Sequence, residues 1–263
     1  VRAPVIWHAE ALWEAVVPLL PGFTVEIAPE LPSTNSALMQ RARSGDGQPT
    51  LLVAEQQTAG RGRLGRAWQS EAGSSLTFSL GMPLAPQDWS GLSLAVGISL
   101  AESLHPDLRL KWPNDLWLND RKLAGILIET ASTVGAIGAG APRYAVIGVG
   151  VNVHAPDPQG LSTAPASLQE LLPGMDAPGA MARVLLPLVQ AIQAFETSGF
   201  SPLQARFNAR DALRGREVNL SDGVAGTAHG VDGTGAMLVH TADGMKQITS
   251  SEISVRPQSA PKG

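Results

Sequence analysis

Apolar residues recur along this chain with two periods, and each change of period marks an element. Spacings of three and four predict helices over residues 7–17, 89–104 and 181–195. The second rests on Leu92, Val96, Leu100 and Leu104, the third on Val184, Leu188, Ile192 and Phe195. Apolar runs with a period near two predict strands over residues 24–28, 51–54, 75–81, 108–112, 121–130 and 144–153. Pro113 stops the fourth strand, and Asn119-Asp120 turns the chain into the fifth, so residues 108–130 read as a hairpin with polar residues at its ends. A short helix is expected over 166–172, and residues 134–141 and 156–165 read as loops.

From Glu217 the pattern shortens. Apolar patches at 218–220, 225–229, 236–240, 246–249 and 253–255 alternate with Asp222-Gly223, Asp232-Gly233 and Asp243-Gly244, which mark hairpin turns. Five short strands in this span predict a small β-barrel of SH3-like size. Domains are therefore expected at 1–215 and 216–257, with a disordered tail at 258–263.

Composition narrows the chemistry. The chain has no cysteine, which excludes disulfides, thiolate metal sites and acyl transfer through a cysteine. A net charge of -4 disfavours a nucleic-acid binder. No apolar run is long enough for a membrane span, and the N-terminus lacks a signal-peptide core, so a cytoplasmic enzyme is expected. His154, His229 and His240 are too scattered to form a metal site, so no metal ligands are assigned.

The polar signal concentrates in Gly60-Arg61-Gly62-Arg63-Leu64-Gly65-Arg66. Glycines at this density let the backbone turn tightly and expose its N–H groups, and arginines add donors that never deprotonate. The stretch lies between two predicted strands and suits an anion or a compact polar ligand. Ser33-Thr34-Asn35 sits at a helix start, where it can cap the helix or hold a polar ligand group. Trp68 is core filling or an aromatic platform. Lys111, Asn114 and Asp115 gather at a strand end. Alternation over 121–130 puts Lys122 with Ala124, Ile126 and Ile128 on one face and Gly125 on the other. Lys122 would thus open an apolar face, and Gly125 suggests close approach by a ligand. Asn152, the one amide of its strand, reads as a turn residue or a base-recognising group.

Taken together, AEQQTAGRGRLGRAW, KWPNDLWLNDRKLAGILIE and VIGVGVN, followed by the SEISVR segment, resemble the bacterial biotin–protein ligases across nearly the whole chain. The resemblance implies an α+β fold: a central mixed β-sheet with packed helices, like a class II aminoacyl-tRNA synthetase, plus the SH3-like barrel. With Ser33-Thr34 so early, an N-terminal winged helix and its repressor role are not expected. The implied reaction activates biotin with ATP and Mg²⁺ as biotinyl-5′-AMP and passes it to a lysine of the biotin carboxyl carrier protein of acetyl-CoA carboxylase. The same resemblance puts Ser33, Thr34, Gln57, Gly60, Arg61, Lys122 and Gly125 on biotin, with Asn35, Gly62 and Arg63 in the same binding set. It puts Trp68, Lys111, Asn114 and Asn152 on the adenylate, with Arg256 reaching in from the small domain. Arg61 and Lys122 are the implied charge-stabilising catalytic residues, and Asp115 the carboxylate that orients the incoming lysine. The glycine–arginine loop is implied to order over the adenylate.

Two other functions stay open at this stage: a lipoate ligase-like enzyme and a non-catalytic nucleotide-binding regulatory module. A monomer and a ligand-dependent homodimer are both compatible with the sequence, and no DNA or membrane partner is expected.

Overall fold

In residues 143–152 the side chains alternate between two environments. Ala145, Ile147, Val149 and Val151 are fully or almost fully buried in the main core, while Tyr144, Val146, Gly148, Gly150 and Asn152 face the other way. Period two makes this strand a partition, bulky on one side and thinned to glycine on the other. The computed structural model describes residues 5–132, 140–249 and 255–257. The expected loop at 134–141 falls largely outside them, as do the 258–263 tail and Ile253 of the last predicted strand.

The chain runs α1 (Ala9–Val16), β1 (Thr24–Leu31), α2 (Thr34–Arg43), β2 (Thr50–Gln57), β3 (Ser75–Leu84), α3 (Leu92–Leu104), β4 (Arg109–Lys111), β5 (Asp115–Leu118), β6 (Arg121–Ser132), β7 (Arg143–Asn152), α4 (Ala177–Ser198) and α5 (Gln204–Arg210). Five short strands follow: β8 (Glu217–Leu220), β9 (Ala225–Val231), β10 (Met237–Thr241), β11 (Gly244–Ile248) and β12 (Val255–Pro257). The first seven strands form one sheet in the order β1-β2-β3-β7-β6-β5-β4. Only β1 and β2 run parallel, so the sheet is mixed, as expected.

The helices are divided unequally between its faces. Helices α1, α3 and α4 bury Leu76, Phe78 and Leu80 of β3 and Ile147 and Val149 of β7 in one continuous core. The other face carries α2, whose Leu38, Met39 and Ala42 meet Leu52, Ala131, Tyr144 and Val146 in a small separate cluster. Beyond that cluster this face presents Thr77, Ser79, Gly148 and Gly150. Small and polar residues here leave a stretch of sheet face that α2 covers only in part, and that is where the site lies.

Two details depart from the sequence expectations. The predicted hairpin at 108–130 is a three-strand meander, because Asp115–Leu118 forms a strand of its own. Asn119 and Asp120 turn it with left-handed φ values of 49° and 60°, conformations these two side chains tolerate better than most. The expected barrel is absent. The five C-terminal strands form an open sheet in the order β11-β10-β9-β8-β12. Its edge strands β11 and β12 do not pair among the described residues. A barrel closes only when its edges can exchange a staggered row of hydrogen bonds. Here β12 carries Pro257, which has no N–H to give.

Candidate active site

The α2 face of the sheet holds a cavity of about 520 Å³, in the range of small-molecule sites. Its floor is cut by the glycines of β7. A Cβ on Gly148 would fall 2.1 Å from Asn35 Oδ1, and one on Gly150 would fall 2.4 Å from Trp68 Cε2. Any larger residue would displace the side chains that now close down on the sheet.

At one end the walls are polar but neutral in sum. Ser33 caps α2, accepting the Ser36 N–H at 3.3 Å, so capping and cavity lining fall to the same turn. The Thr34 N–H donates to Gln57 Oε1 at 2.8 Å, and Thr34 Oγ1 lies 3.1 Å from the same oxygen. Asn35 donates to Leu127 O at 3.1 Å and to Glu129 Oε2 at 2.9 Å. Ser79, fully buried beneath, reaches Thr34 Oγ1 at 2.7 Å and Asn35 Oδ1 at 2.6 Å.

The glycine–arginine stretch closes on itself. Gly62 N–H donates to Arg66 O at 2.7 Å, Trp68 N–H to Gly60 O at 2.9 Å, and Arg61 bridges Ala67. Gly60 is buried behind the lining, whereas Gly62 lines the cavity. This fold sends its arginines different ways. Arg61 donates to Glu129 Oε2 at 2.8 Å and to Ser36 Oγ at 3.1 Å, at the neutral end. Arg63 reaches toward Asn114 Oδ1 at 3.5 Å. The sequence reading grouped Arg61 and Arg63 with Lys122. Instead Arg61 is committed to a carboxylate seven residues further along β6 than Lys122, roughly 20 Å of strand.

The opposite end is cationic. Lys122 Nζ sits 2.7 Å from Asp115 Oδ1. Lys111 is buried, which pulls its pKa down to about 8; Asp115 opposes that shift, while Lys122, Arg63 and Arg66 add to it. Burial is also the main cause of a lowered Arg63 pKa. Four cations thus surround one carboxylate, an arrangement that holds bound polyanion charge. The Lys122 ammonium stands 5.8 Å from the Trp68 ring centre, and Lys111 5.9 Å from that of Trp117. The Trp68 Nε1 is buried and finds no acceptor, so it remains available to a ligand.

Strict alternation would have separated Lys122 from Gly125, yet both line the cavity. The register explains it: Leu116 pairs Ala124 but Trp117 pairs Lys122, so Leu123 is an extra residue in β6 and the face shifts. Lys122 Nζ lies 3.2 Å from where a Gly125 Cβ would stand. Asn152 also lines the cavity, but both its N–H donors are in use, to Lys122 O at 3.2 Å and Ala166 O at 3.1 Å. It clamps the lysine backbone, together with the paired Lys122 N–H to Ala164 O and Ala166 N–H to Lys122 O, each 2.8 Å. Asn114 does the same for β6 through Ile126 O at 2.8 Å. Arg256 lines the cavity from β12. Sequence reasoning missed Ser79, Glu129 and Arg66, and the 156–165 segment as a wall. Ser79 was legible as a small polar residue on the sheet face shared with Thr77. Glu129 carried no signal until the fold brought it to Arg61.

Among the described residues no three His, Cys, Asp or Glu side chains gather as metal ligands. Of the two carboxylates that line the cavity, Asp115 is paired to Lys122 and Asp120 to Arg216, so the donors present do not fit a protein-built Mg²⁺ cage.

This geometry defines a class: an α+β protein with an elongated small-molecule site, neutral and hydrogen-bonding at one end and cationic at the other. The chain belongs to the Biotin/lipoate A/B protein ligase family, whose profile matches residues 28–152; the Biotin protein ligase C terminal domain profile matches residues 214–256. It is 37% identical to the Bifunctional ligase/repressor BirA of Salmonella typhimurium, over 88% of this chain and 74% of that protein. It is 34% identical to the Biotin--[acetyl-CoA-carboxylase] ligase of Paracoccus denitrificans, over 84% of this chain and 96% of that one. The biotin protein ligase from Aquifex aeolicus in complex with biotin and ATP superposes with a TM-score of 0.73 at 28% identity, covering 89% of this chain and 99% of that one.

Proposed function

We infer that the chain is an ATP-dependent biotin–protein ligase. It binds biotin and ATP, joins them, and transfers biotin to a lysine of a carrier protein. The observation that carries this reading is the two-ended cavity, found in a chain of this family.

The neutral end suits the cyclic urea of biotin, with Ser33, Thr34 and Gln57 as its hydrogen-bonding partners. The valeryl chain then runs over the glycine floor, and its carboxylate reaches Lys122. The triphosphate lies among Lys111, Arg63, Arg66 and Lys122, and the nucleoside is held by Trp68, Asn114 and Asn152, with Arg256 closing from β12. Two anions must meet for reaction, and fixed cations offset their repulsion and the charge that builds in the transition state. A carboxylate oxygen bonds to the α-phosphorus, the bond to the bridging oxygen breaks, and pyrophosphate leaves. The carrier lysine then attacks the acyl carbon of biotinyl-5′-AMP, the acyl–oxygen bond breaks, and AMP leaves. That lysine must first lose a proton, and Asp115, freed as Lys122 turns to the anion, is placed to take it. Mg²⁺ held by the nucleotide phosphates would add charge stabilisation there without a protein-built cage.

On this reading residues 1–215 are the catalytic domain and 216–257 a small appended domain. The carrier is the biotin carboxyl carrier protein of acetyl-CoA carboxylase, and the setting is cytoplasmic. Among the described residues no helix is long and apolar enough to cross a membrane. The test is ATP–pyrophosphate exchange with biotin and with lipoate, side by side. Biotin-dependent exchange is expected; exchange with lipoate alone would transfer the assignment to lipoate attachment, and exchange with neither would refute catalysis.

A further inference from the structure

We propose that Glu129 is a positioning residue that holds Asn35 and its hydroxyl partners in place at the neutral end and cancels the charge of Arg61 there. The proposal rests on the biotin–ATP reading of the cavity. Glu129 Oε2 accepts from two side chains at once, Arg61 Nη2 at 2.8 Å and Asn35 Nδ2 at 2.9 Å. The Arg61 guanidinium also takes Ser36 Oγ at 3.1 Å, so one carboxylate ties the glycine–arginine loop and the first turn of α2 to β6.

The hydrogen-bond direction follows from Glu129. As an acceptor it draws the NH₂ group of Asn35 toward itself and Leu127 O, which turns Asn35 Oδ1 toward Ser79. Ser79 has a single proton, offered to Asn35 Oδ1 at 2.6 Å and Thr34 Oγ1 at 2.7 Å, and Thr34 gives its own proton to Gln57 Oε1 at 3.1 Å. Through Asn35, Glu129 thus anchors the chain of hydroxyls at the neutral end. Without Glu129 the Asn35 amide keeps only Leu127 O as an acceptor, and its hold on Ser79 loosens.

The second consequence is electrostatic. Paired with Glu129, Arg61 adds no net charge at the end that takes an uncharged ring, and the cationic cluster around Lys111 and Lys122 attracts the anionic groups to the other end. Ligand orientation in the cavity is then set before binding.

Biotin-dependent pyrophosphate exchange by Glu129→Ala and Glu129→Gln tests this, with the KM for biotin and for ATP measured separately. Glu129→Ala is expected to raise the biotin KM about tenfold, as loss of a charge-assisted hydrogen-bond pair does, while the ATP KM stays within about threefold. Glu129→Gln, whose Oε1 still accepts, is expected to recover part of the loss. A biotin KM unchanged in both variants, or an ATP KM that rises equally, overturns the proposal. Should Glu129→Ala fail to fold, Glu129→Asp keeps the charge but withdraws the oxygens, and the same split between the two KM values is required of it. Wild-type protein inactive with biotin would instead refute the underlying assignment, so the two failures are distinguishable.

Discussion

The two ends of the cavity are built from opposite materials. The neutral end is a network in which buried polar groups satisfy one another: Thr34, Asn35 and Ser79 are almost wholly buried, and the single strong ion pair, Arg61 with Glu129, cancels itself. The cationic end gathers four positive groups around Asp115, with Lys111 buried enough to lose much of its basicity. A satisfied network gives shape and hydrogen-bond specificity, because a wrong ligand leaves its members unpaired. A cationic cluster gives charge stabilisation, because a polyanion bound there meets charges already in place. The difference separates recognition from chemistry along one sheet face.

The strongest way to break that division is Lys122→Ala. Exchange is expected to fall by about 10²–10³, the loss typical of removing one preorganised charge-stabilising group. A comparable loss in retention of biotin alone, measured by calorimetry without ATP, would place Lys122 in recognition instead.

The scaffold behind the cationic end makes a second test. Asp211 forms a backbone bridge with Leu110, beside Lys111, and burial raises its pKa to about 6. A carboxyl group with a raised folded-state pKa contributes full stability below about 4 and loses it as pH rises through about 6. Asp211→Asn keeps an oxygen for the Leu213 N–H. Its stability relative to wild type should therefore grow from near zero at pH 4 to about 2–3 kcal/mol at pH 7, read from urea unfolding at each pH.

Gly148→Ala attacks the neutral end. The new Cβ collides with Asn35 Oδ1, so the network must shift, at about 1–3 kcal/mol. The biotin KM should rise five- to hundredfold with little change for ATP. Equal rises would dissolve the distinction between the two ends.

Lys111 offers the mildest probe. With its pKa near 8 it loses its charge as pH climbs past that value, and the ATP KM should rise by up to about tenfold per pH unit above it. Lys111→Arg, which keeps its charge, should flatten the profile. In the free protein the sign is the reverse for stability: a depressed lysine pKa means stability increases as pH rises from about 8 toward the ordinary lysine value.

Much of this was legible in the chain itself. The helices at 92–104 and 177–198 and the strands of the mixed sheet follow from apolar spacing, because each must bury one face. Ser33-Thr34-Asn35, Lys111, Asn114 and Lys122 could be selected as polar residues at element ends, whereas Gln57 came only from the family resemblance. Errors arose where spacing stops being local. Alternation put Lys122 opposite Gly125, and one bulged residue at Leu123 reversed that. Five strand-like patches suggested a closed barrel, but closure depends on which edges pair, and β11 and β12 do not pair among the described residues.

The glycine–arginine stretch shows the division most sharply. By itself the sequence determined its nature: a tight, glycine-permitted turn carrying permanent positive charge between two strands. Where each charge goes was decided only by tertiary structure. The backbone pairs of the stretch send Arg61 toward Glu129 on β6 and Arg63 toward Asn114, residues 68 and 51 positions away. Guanidinium chemistry is local to the residue, whereas its partner, and so its function, is a property of which distant strands the fold brings alongside.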